Sequence, residues 1–241
     1  MFEPGERVLL VGGGRTFFVR AGTGSFSTDR GVLDLDSLLC LSPGDTITTH
    51  SGQDFRALSP RAPDFFSRAS RSGAPMLPKD IGLAIAFSGM NSRDEVLDAG
   101  TGSGIAAIYF GGIAKRVTTH EIRPEFATTA EKNIRDAKLA NVEVVCGDVL
   151  EATGTYDIVH LDLSMTAEHV THAHTLLCEG GYLICYTPFL EHLFIVMDAA
   201  GGLFTEVQAH ECIEREITRT ARGSRPSTRI CHSGYLTVAR K

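Results

Sequence analysis

The chain predicts an α/β fold preceded by a small β domain. Three observations carry this. Short β-type runs separated by glycine-rich turns fill the first 60 residues, helices and strands alternate from Asp80 onward, and one buried strand, 94–98, runs straight into a glycine-rich loop that opens a helix. Strand–helix alternation implies a parallel sheet with right-handed crossovers, and closely spaced strands imply a small barrel or sandwich.

In order, Arg7–Val11, Thr16–Arg20, Asp45–Thr49 and Phe55–Leu58 read as strands, with turns at Gly12-Gly13-Gly14, Gly22-Thr23-Gly24, Ser42-Pro43-Gly44-Asp45 and Ser51-Gly52. Arg61–Pro78 reads as a connector bent at its prolines. The expected division is 1–74 for the β domain with connector and 75–241 for the α/β domain. Residues 80–90 read as a helix, 94–98 as a strand, Ile105–Gly111 as a helix and Arg116–Glu121 as a strand. Pro124 suits a helix start, and Phe126, Ala130, Ile134 and Ala137 recur at helical spacing. Val142–Val145, Tyr156–Leu161 and Gly181–Tyr186 read as strands and Leu193–Ala200 as a helix.

The chain has 241 residues, a formal charge of −6 and 43% hydrophobic residues. That composition argues against disorder. No apolar run approaches the roughly 20 residues that span a bilayer, and the N-terminus lacks the pattern of a signal peptide, so a cytoplasmic protein is expected. The six cysteines, 40, 146, 178, 185, 212 and 231, form no CxxC pair and read as reduced core residues. His169, His172 and His174 lack supporting carboxylate or Cys spacing, and no metal is expected. Phe17-Phe18 and Phe65-Phe66 read as core or subunit contacts.

The charge is uneven. Residues 1–80 carry a net charge of 0, residues 81–212 a net −11 and residues 213–241 a net +5. Cations gather in the connector (Arg56, Arg61, Arg68, Arg71) and in the tail (Arg215, Arg219, Arg222, Arg225, Arg229). A phosphate-rich partner would therefore be bound locally, by clustered arginines, rather than steered by overall charge.

The chemistry is concentrated at Val96-Leu97-Asp98-Ala99-Gly100-Thr101-Gly102-Ser103-Gly104. Glycines at alternate positions let a ligand approach the backbone. Such a loop also serves dinucleotides, so the acids decide. Glu121 ends the next strand, where a carboxylate accepts both hydroxyls of a ribose. Asp148 follows the third strand and can accept from an adenine amine. Asp98 would repel a pyrophosphate and attract an amino-acid ammonium. The set fits S-adenosylmethionine better than NAD. The expected cofactor site is Asp98, Gly100, Thr101, Gly102, Ser103, Gly104, Ile105, Glu121, Arg123, Asp148, Val149 and Asp162.

The segments Leu77-Pro78-Lys79-Asp80, Asp98–Gly104, Glu121-Ile122-Arg123, Leu161-Asp162-Leu163 and Tyr186-Thr187-Pro188, with the tail from Arg225-Pro226 to His232-Ser233-Gly234-Tyr235-Leu236 and Ala239-Arg240-Lys241, resemble the tRNA (adenine-N1)-methyltransferase family over nearly the whole length. The family pattern differs at Leu77, where a Tyr is common, and at Leu163-Ser164-Met165-Thr166, where a Pro and Trp segment is common. The resemblance implies a Rossmann-like S-adenosylmethionine-dependent methyltransferase domain, a homotetramer, and methylation of N1 of an adenosine in the tRNA T-loop, at position 58, 57 or both. Asp162, at the carboxyl edge where α/β ligands bind, is the expected catalytic carboxylate, and the resemblance has Tyr186 line the base pocket. His232, in the family-like tail, is a candidate support for the site. Two rivals are a corrinoid-precursor methyltransferase, which should lack the β domain and tail, and a non-catalytic tRNA-binding subunit, which should have lost the glycine loop and acids.

Overall fold

The computed structural model describes residues 1–228 and 232–241; Arg229 of the cationic tail and Cys231 lie outside the described residues. Two compact units emerge: Met1–Ala69 with Arg135–Lys138, and Ser70–Ile134 with Leu139–Lys241.

In the first unit, β1 (Arg7–Gly12), β2 (Arg15–Arg20), β3 (Ser25–Thr28), β4 (Gly31–Asp34), β5 (Thr46–Thr48) and β6 (Asp54–Leu58) are followed by a short helix, α1 (Ala62–Arg68). The strands form a four-stranded antiparallel sheet in the order β2-β1-β6-β5 and a separate β3-β4 hairpin. Val8, Leu10, Val19, Leu33, Ile47, Phe55 and Ala57 from both sheets share one core. Phe17 joins it at its margin, while Phe18 lies outside it. Phe17 packs on Phe26 and Phe55, and Phe18 meets Phe65 edge-on. The β3-β4 hairpin and α1 are absent from the sequence reading, because their short polar runs carry no periodic signal.

In the second unit, α2 (Pro78–Ser88) starts with proline at its first position, where a missing N–H costs nothing. There follow β7 (Glu95–Ala99), α3 (Ile105–Gly111), β8 (Arg116–Glu121), α4 (Pro124–Asp136), β9 (Val142–Cys146), β10 (Tyr156–Leu161), α5 (Ala167–Leu176), β11 (Leu177–Thr187), α6 (Leu190–Ala200), β12 (Glu206–Glu211), β13 (Ile217–Thr220), β14 (Gly223–Pro226) and β15 (Tyr235–Arg240). Seven of these strands form one sheet in the order β12-β15-β11-β10-β7-β8-β9. β15 runs antiparallel to β11 and β12, and the five strands from β11 to β9 are mutually parallel. The reading missed α5, β12 and the β13-β14 hairpin. Ala137 falls just beyond α4.

Period-2 alternation divides the sheet faces. Leu97, Ala99, Val159, Leu161, Leu183 and Cys185 pack on Val170, Ala173 and Leu176 of α5 and Val196 and Ala200 of α6. Each fully buried Leu or Val among them contributes about 1.5–3 kcal/mol. Cys185 is in this core, whereas Cys40 and Cys146 are exposed, which corrects the expectation that the cysteines are core residues.

Strand order reverses between β7 and β10, which opens a crevice at their carboxyl ends, the position where α/β sheets bind ligands. The Asp162 N–H donates to Ala99 O at 2.9 Å. Gly100 follows with φ +86°, and a β-carbon there would lie 1.8 Å from Asp162 O. Gly100→Ala should therefore cost about 2 kcal/mol or more, through left-handed backbone strain and displacement of Asp162. Denaturant unfolding of the variant checks this, and unchanged stability would contradict the close approach.

Candidate active site

Two cavities flank the crevice. The first, about 230 Å³, is lined by Gly73–Met76, Asp98, Gly100–Ser103, Ile105, Ala106, Arg123, Phe126, His160 and Asp162. The second, about 370 Å³, is lined by Ala99, Gly100, His120–Arg123, Gly147–Val149, Asp162–Ser164 and His169. Gly100, Arg123 and Asp162 belong to both. The site is thus elongated, with Asp98 towards one end and Glu121 and Asp148 towards the other.

The glycine loop is held from several sides. Gly104, with φ +78°, precedes α3 and approaches Ala130 of α4. Thr101 Oγ1 lies 2.6 Å from Thr119 Oγ1. Ser103 Oγ accepts from the Ser72 N–H at 2.9 Å, and the Asn133 amide donates to both Ser70 O and Ser103 O at 2.8 Å. These bonds bring Gly73–Met76 onto the cavity wall. The sequence reading treated that stretch as linker, and only its prolines hinted at a fixed course.

Glu121 is 2% exposed. Its carboxylate accepts from the Gly102 N–H at 2.9 Å and from the Arg123 N–H and Nε at 3.1 and 2.8 Å. Burial alone would raise its pKa, but the Arg123 guanidinium and the two N–H groups outweigh that and hold it below the ordinary carboxylate value. The Arg123 guanidinium also lies 3.6 Å above the centre of the Phe126 ring, a cation–π contact. Asp148 caps the short 3₁₀ turn Val149–Glu151 by accepting from the Leu150 N–H at 2.9 Å; it still lines the second cavity. His120, beside it, has a buried Nδ1 without a partner among the described residues, and burial lowers its pKa.

Asp98 is 2% exposed and accepts from Thr119 Oγ1 at 2.5 Å and from His160 Nδ1 at 2.6 Å. Asp162 is half-buried, and among the described residues no group donates to its carboxylate. Burial pushes its pKa up to about 6, with the charge of Asp98 adding and His160 opposing.

Tyr186 sits at the end of β11, 8% exposed, outside the walls of both cavities. Its hydroxyl donates to Asp80 Oδ2 at 3.4 Å, and burial pushes its pKa up to about 12. Asp80 also accepts from Ser233 Oγ at 2.8 Å and Lys79 Nζ at 2.6 Å, and Lys79 Nζ lies 2.6 Å from Ser233 Oγ and donates to Cys212 O at 2.7 Å. The Pro78-Lys79-Asp80 motif thus fastens the start of α2 to the ends of β11, β12 and β15. A β-carbon at Gly234 would lie 2.4 Å from the Tyr186 ring. His232 lies between Glu211 Oε1, at 2.8 Å from Nδ1, and Pro188 O, at 2.9 Å from Nε2; these acceptors raise its pKa. Among the described residues no group of three or more His, Cys, Asp or Glu side chains could hold a metal.

A Rossmann-like sheet with a glycine loop after its first strand and acids after the next two defines the class of S-adenosylmethionine-dependent methyltransferases. A protein-family model described as protein-L-isoaspartate(D-aspartate) O-methyltransferase matches residues 74–191. A tRNA (adenine(57)-N(1)/adenine(58)-N(1))-methyltransferase, TrmI, of Methanocaldococcus jannaschii is 31% identical, covering 97% of this chain and 94% of that protein. The chain belongs to the tRNA (adenine-N1)-methyltransferase family. In fold it resembles a SAM-dependent O-methyltransferase from Thermotoga maritima, with TM-score 0.85, 24% identity and coverage of 100% of this chain and 94% of that one. It also resembles the tRNA (m1A58) methyltransferase TrmI from Aquifex aeolicus, with TM-score 0.80, 24% identity and coverage of 100% and 98%.

The raised pKa of Asp162 has a consequence for stability. Its folded value exceeds that of an unfolded Asp, about 3.9. The folded state therefore holds the proton longer, and stability falls as pH rises from about 4 to about 6, with the full cost above that. Asp162→Asn should stabilise the protein at pH 7.5, by on the order of 2 kcal/mol, and the gain should vanish at pH 4. Thermal unfolding at both pH values checks it; a gain independent of pH would show that ionisation is not its cause.

Proposed function

We propose that the protein transfers a methyl group from S-adenosylmethionine to N1 of an adenosine in the tRNA T-loop. The single observation that carries this is the half-buried Asp162 carboxylate, without a described donor, at the junction of two cavities lined by Asp98, Glu121 and Asp148. The residues present fit the cofactor. Asp98 offers acceptor oxygens for an ammonium at one end, and Glu121 and Asp148 offer acceptors for ribose hydroxyls and an adenine amine at the other. The glycine-rich backbone at Gly100, Thr101, Gly102, Ser103, Gly104 and Ile105 admits a close approach, and Arg123 and Val149 complete the walls. When bound, the cofactor supplies an electrophilic methyl group.

Adenine N1 needs no base before it attacks. As it takes the methyl group, positive charge spreads to the exocyclic amine, and Asp162 accepts a hydrogen bond from that amine. The bond strengthens as charge develops, so it stabilises the transition state more than the ground state. Tyr186, close enough for the Asp162 charge to raise its pKa, borders the base-binding side. The target base leaves the folded tRNA to reach this position.

The β13-β14 hairpin presents exposed Arg219, Arg222 and Arg225, and it supplies phosphate contacts. The active form is a homotetramer, for which exposed Phe189, Leu190, Phe194 and Ile195 around α6 offer apolar surface. Among the described residues no helix is long and apolar enough to cross a membrane, which is compatible with a cytoplasmic enzyme acting on tRNA. The division at 1–74 and 75–241 belongs to the same reading.

Incubation with labelled S-adenosylmethionine and total tRNA, followed by nucleoside mass spectrometry, should yield 1-methyladenosine. Asp162→Ala should lower kcat at least ~100-fold while cofactor affinity stays within a few-fold; near-normal turnover would remove Asp162 from the chemistry. Glu121→Ala should weaken cofactor binding in calorimetry. Replacing Arg219, Arg222 and Arg225 together by Ala should reduce tRNA affinity and shrink its salt dependence by ~2 to 3 in log–log slope. An unchanged slope would place the tRNA elsewhere.

A further inference from the structure

Tyr186 and Asp162 stand side by side at the carboxyl edge of the sheet. Leu161 of β10 is the register partner of Cys185 of β11, and each is followed by one of the two residues. Cys185 belongs to the core under α5 and α6, so strand alternation turns Tyr186 to the other face, towards Asp80 of α2. The charges of Asp162 and Asp80 both reach it. Methyl transfer needs the target base held in line, and a misplacement of about 1 Å costs on the order of 100-fold. Whatever fixes the Tyr186 ring therefore bears on the chemistry.

The ring is held from two sides. Gly234 lies against it, where a β-carbon would be 2.4 Å from Cζ and 2.7 Å from Cε2 and the hydroxyl oxygen. No larger residue fits there without pushing the ring. At its tip the hydroxyl meets Asp80 Oδ2 at 3.4 Å. A carboxylate only accepts, so the phenol hydrogen is fixed in that direction. The bond is long, but the carboxylate is 2% exposed and tightly held. Oδ2 also takes the Ser233 hydroxyl at 2.8 Å, and Oδ1 takes Lys79 Nζ at 2.6 Å. Lys79 directs its three N–H groups at Asp80, Cys212 O and Ser233 Oγ. A buried ion pair is a poor source of stability, because an apolar pair of similar volume serves as well. A fully matched polar network instead confers rigidity and direction, and the Tyr186 hydroxyl is where that direction is delivered.

We propose that Asp80 and Gly234 are positioning residues for the methyl transfer: Asp80 anchors the Tyr186 hydroxyl, Gly234 leaves room for its ring, and the ring confines the target base beside Asp162. This rests on the reading above that Tyr186 borders the base-binding side. It makes Tyr186 a wall whose hydroxyl hydrogen is committed to Asp80 and is not offered to the base.

The test is a double-mutant cycle in single-turnover methylation of total tRNA. Gly234→Ala should slow the transfer at least ~10-fold, while affinity for S-adenosylhomocysteine in calorimetry stays within about twofold. In a Tyr186→Ala background, with no ring to displace, the same change should cost less than about twofold. Asp80→Asn should show the same split and the same dependence on Tyr186; if it fails to fold, the cycle at position 234 decides. An unchanged rate in Gly234→Ala, an equal loss with and without the ring, or a parallel loss of S-adenosylhomocysteine affinity would overturn the assignment. The ring itself can be followed by fluorine NMR of protein carrying fluorotyrosine, where Tyr186→Phe assigns one signal among five tyrosines. That signal should shift in Gly234→Ala, and an unmoved signal would overturn the assignment whatever the activity. No methylation of tRNA by the wild type would instead remove the function reading, and the catalytic purpose of this seat with it.

Discussion

β7 and β10 lie side by side and end together. Their last hydrogen bond, from the Asp162 N–H to Ala99 O, sets the chain after each strand within a backbone's width of the other. At that level Gly100 has no space for a β-carbon. Everything at the site follows from this approach. It brings the glycine loop close to Asp162, places Asp98 and His160 on one rung of neighbouring strands, and leaves a crevice on each side. A bulkier residue at position 100 would separate the strand ends and open the junction that the two cavities share.

The electrostatics follow from the same crowding. Asp162 sits in a poorly solvated place near Asp98, where burial and the neighbouring charge oppose its ionisation. Glu121 is more deeply buried but accepts from Gly102 and Arg123, which hold its pKa below the ordinary carboxylate value. One carboxylate is thus met by several donors, and the other by none among the described residues. The cost of keeping Asp162 unpartnered is offset elsewhere, by a sheet packed on both faces and by the Lys79–Asp80–Ser233 fastening.

Much of the fold was legible because the parallel strands are continuous apolar runs and the helices between them start with proline or follow glycine. The five parallel strands read from the second half, and the helix that begins at Pro124, owe their visibility to this. The β3-β4 hairpin, α1, α5 and the β13-β14 arm were not legible. Their residues are polar or mixed, and their stability comes from neighbours far along the chain. The cysteines misled for a related reason, since an apolar local context does not say whether a strand end faces the core or solvent.

By itself the sequence determined the glycine loop, the order and spacing of Asp98, Glu121, Asp148 and Asp162, and the segments that place the chain in its family. These are local patterns, readable because a strand, a turn and a helix start each impose residue types over a few positions. Only the tertiary structure decided which of those acids already have donors, that Gly73–Met76 form a wall rather than a linker, that Tyr186 is tied to Asp80, and that His160 faces Asp98. Each of these depends on strand register and on contacts between residues up to 153 positions apart. A single histidine in an apolar strand gives no local sign of its partner; the sheet alone puts it beside Asp98.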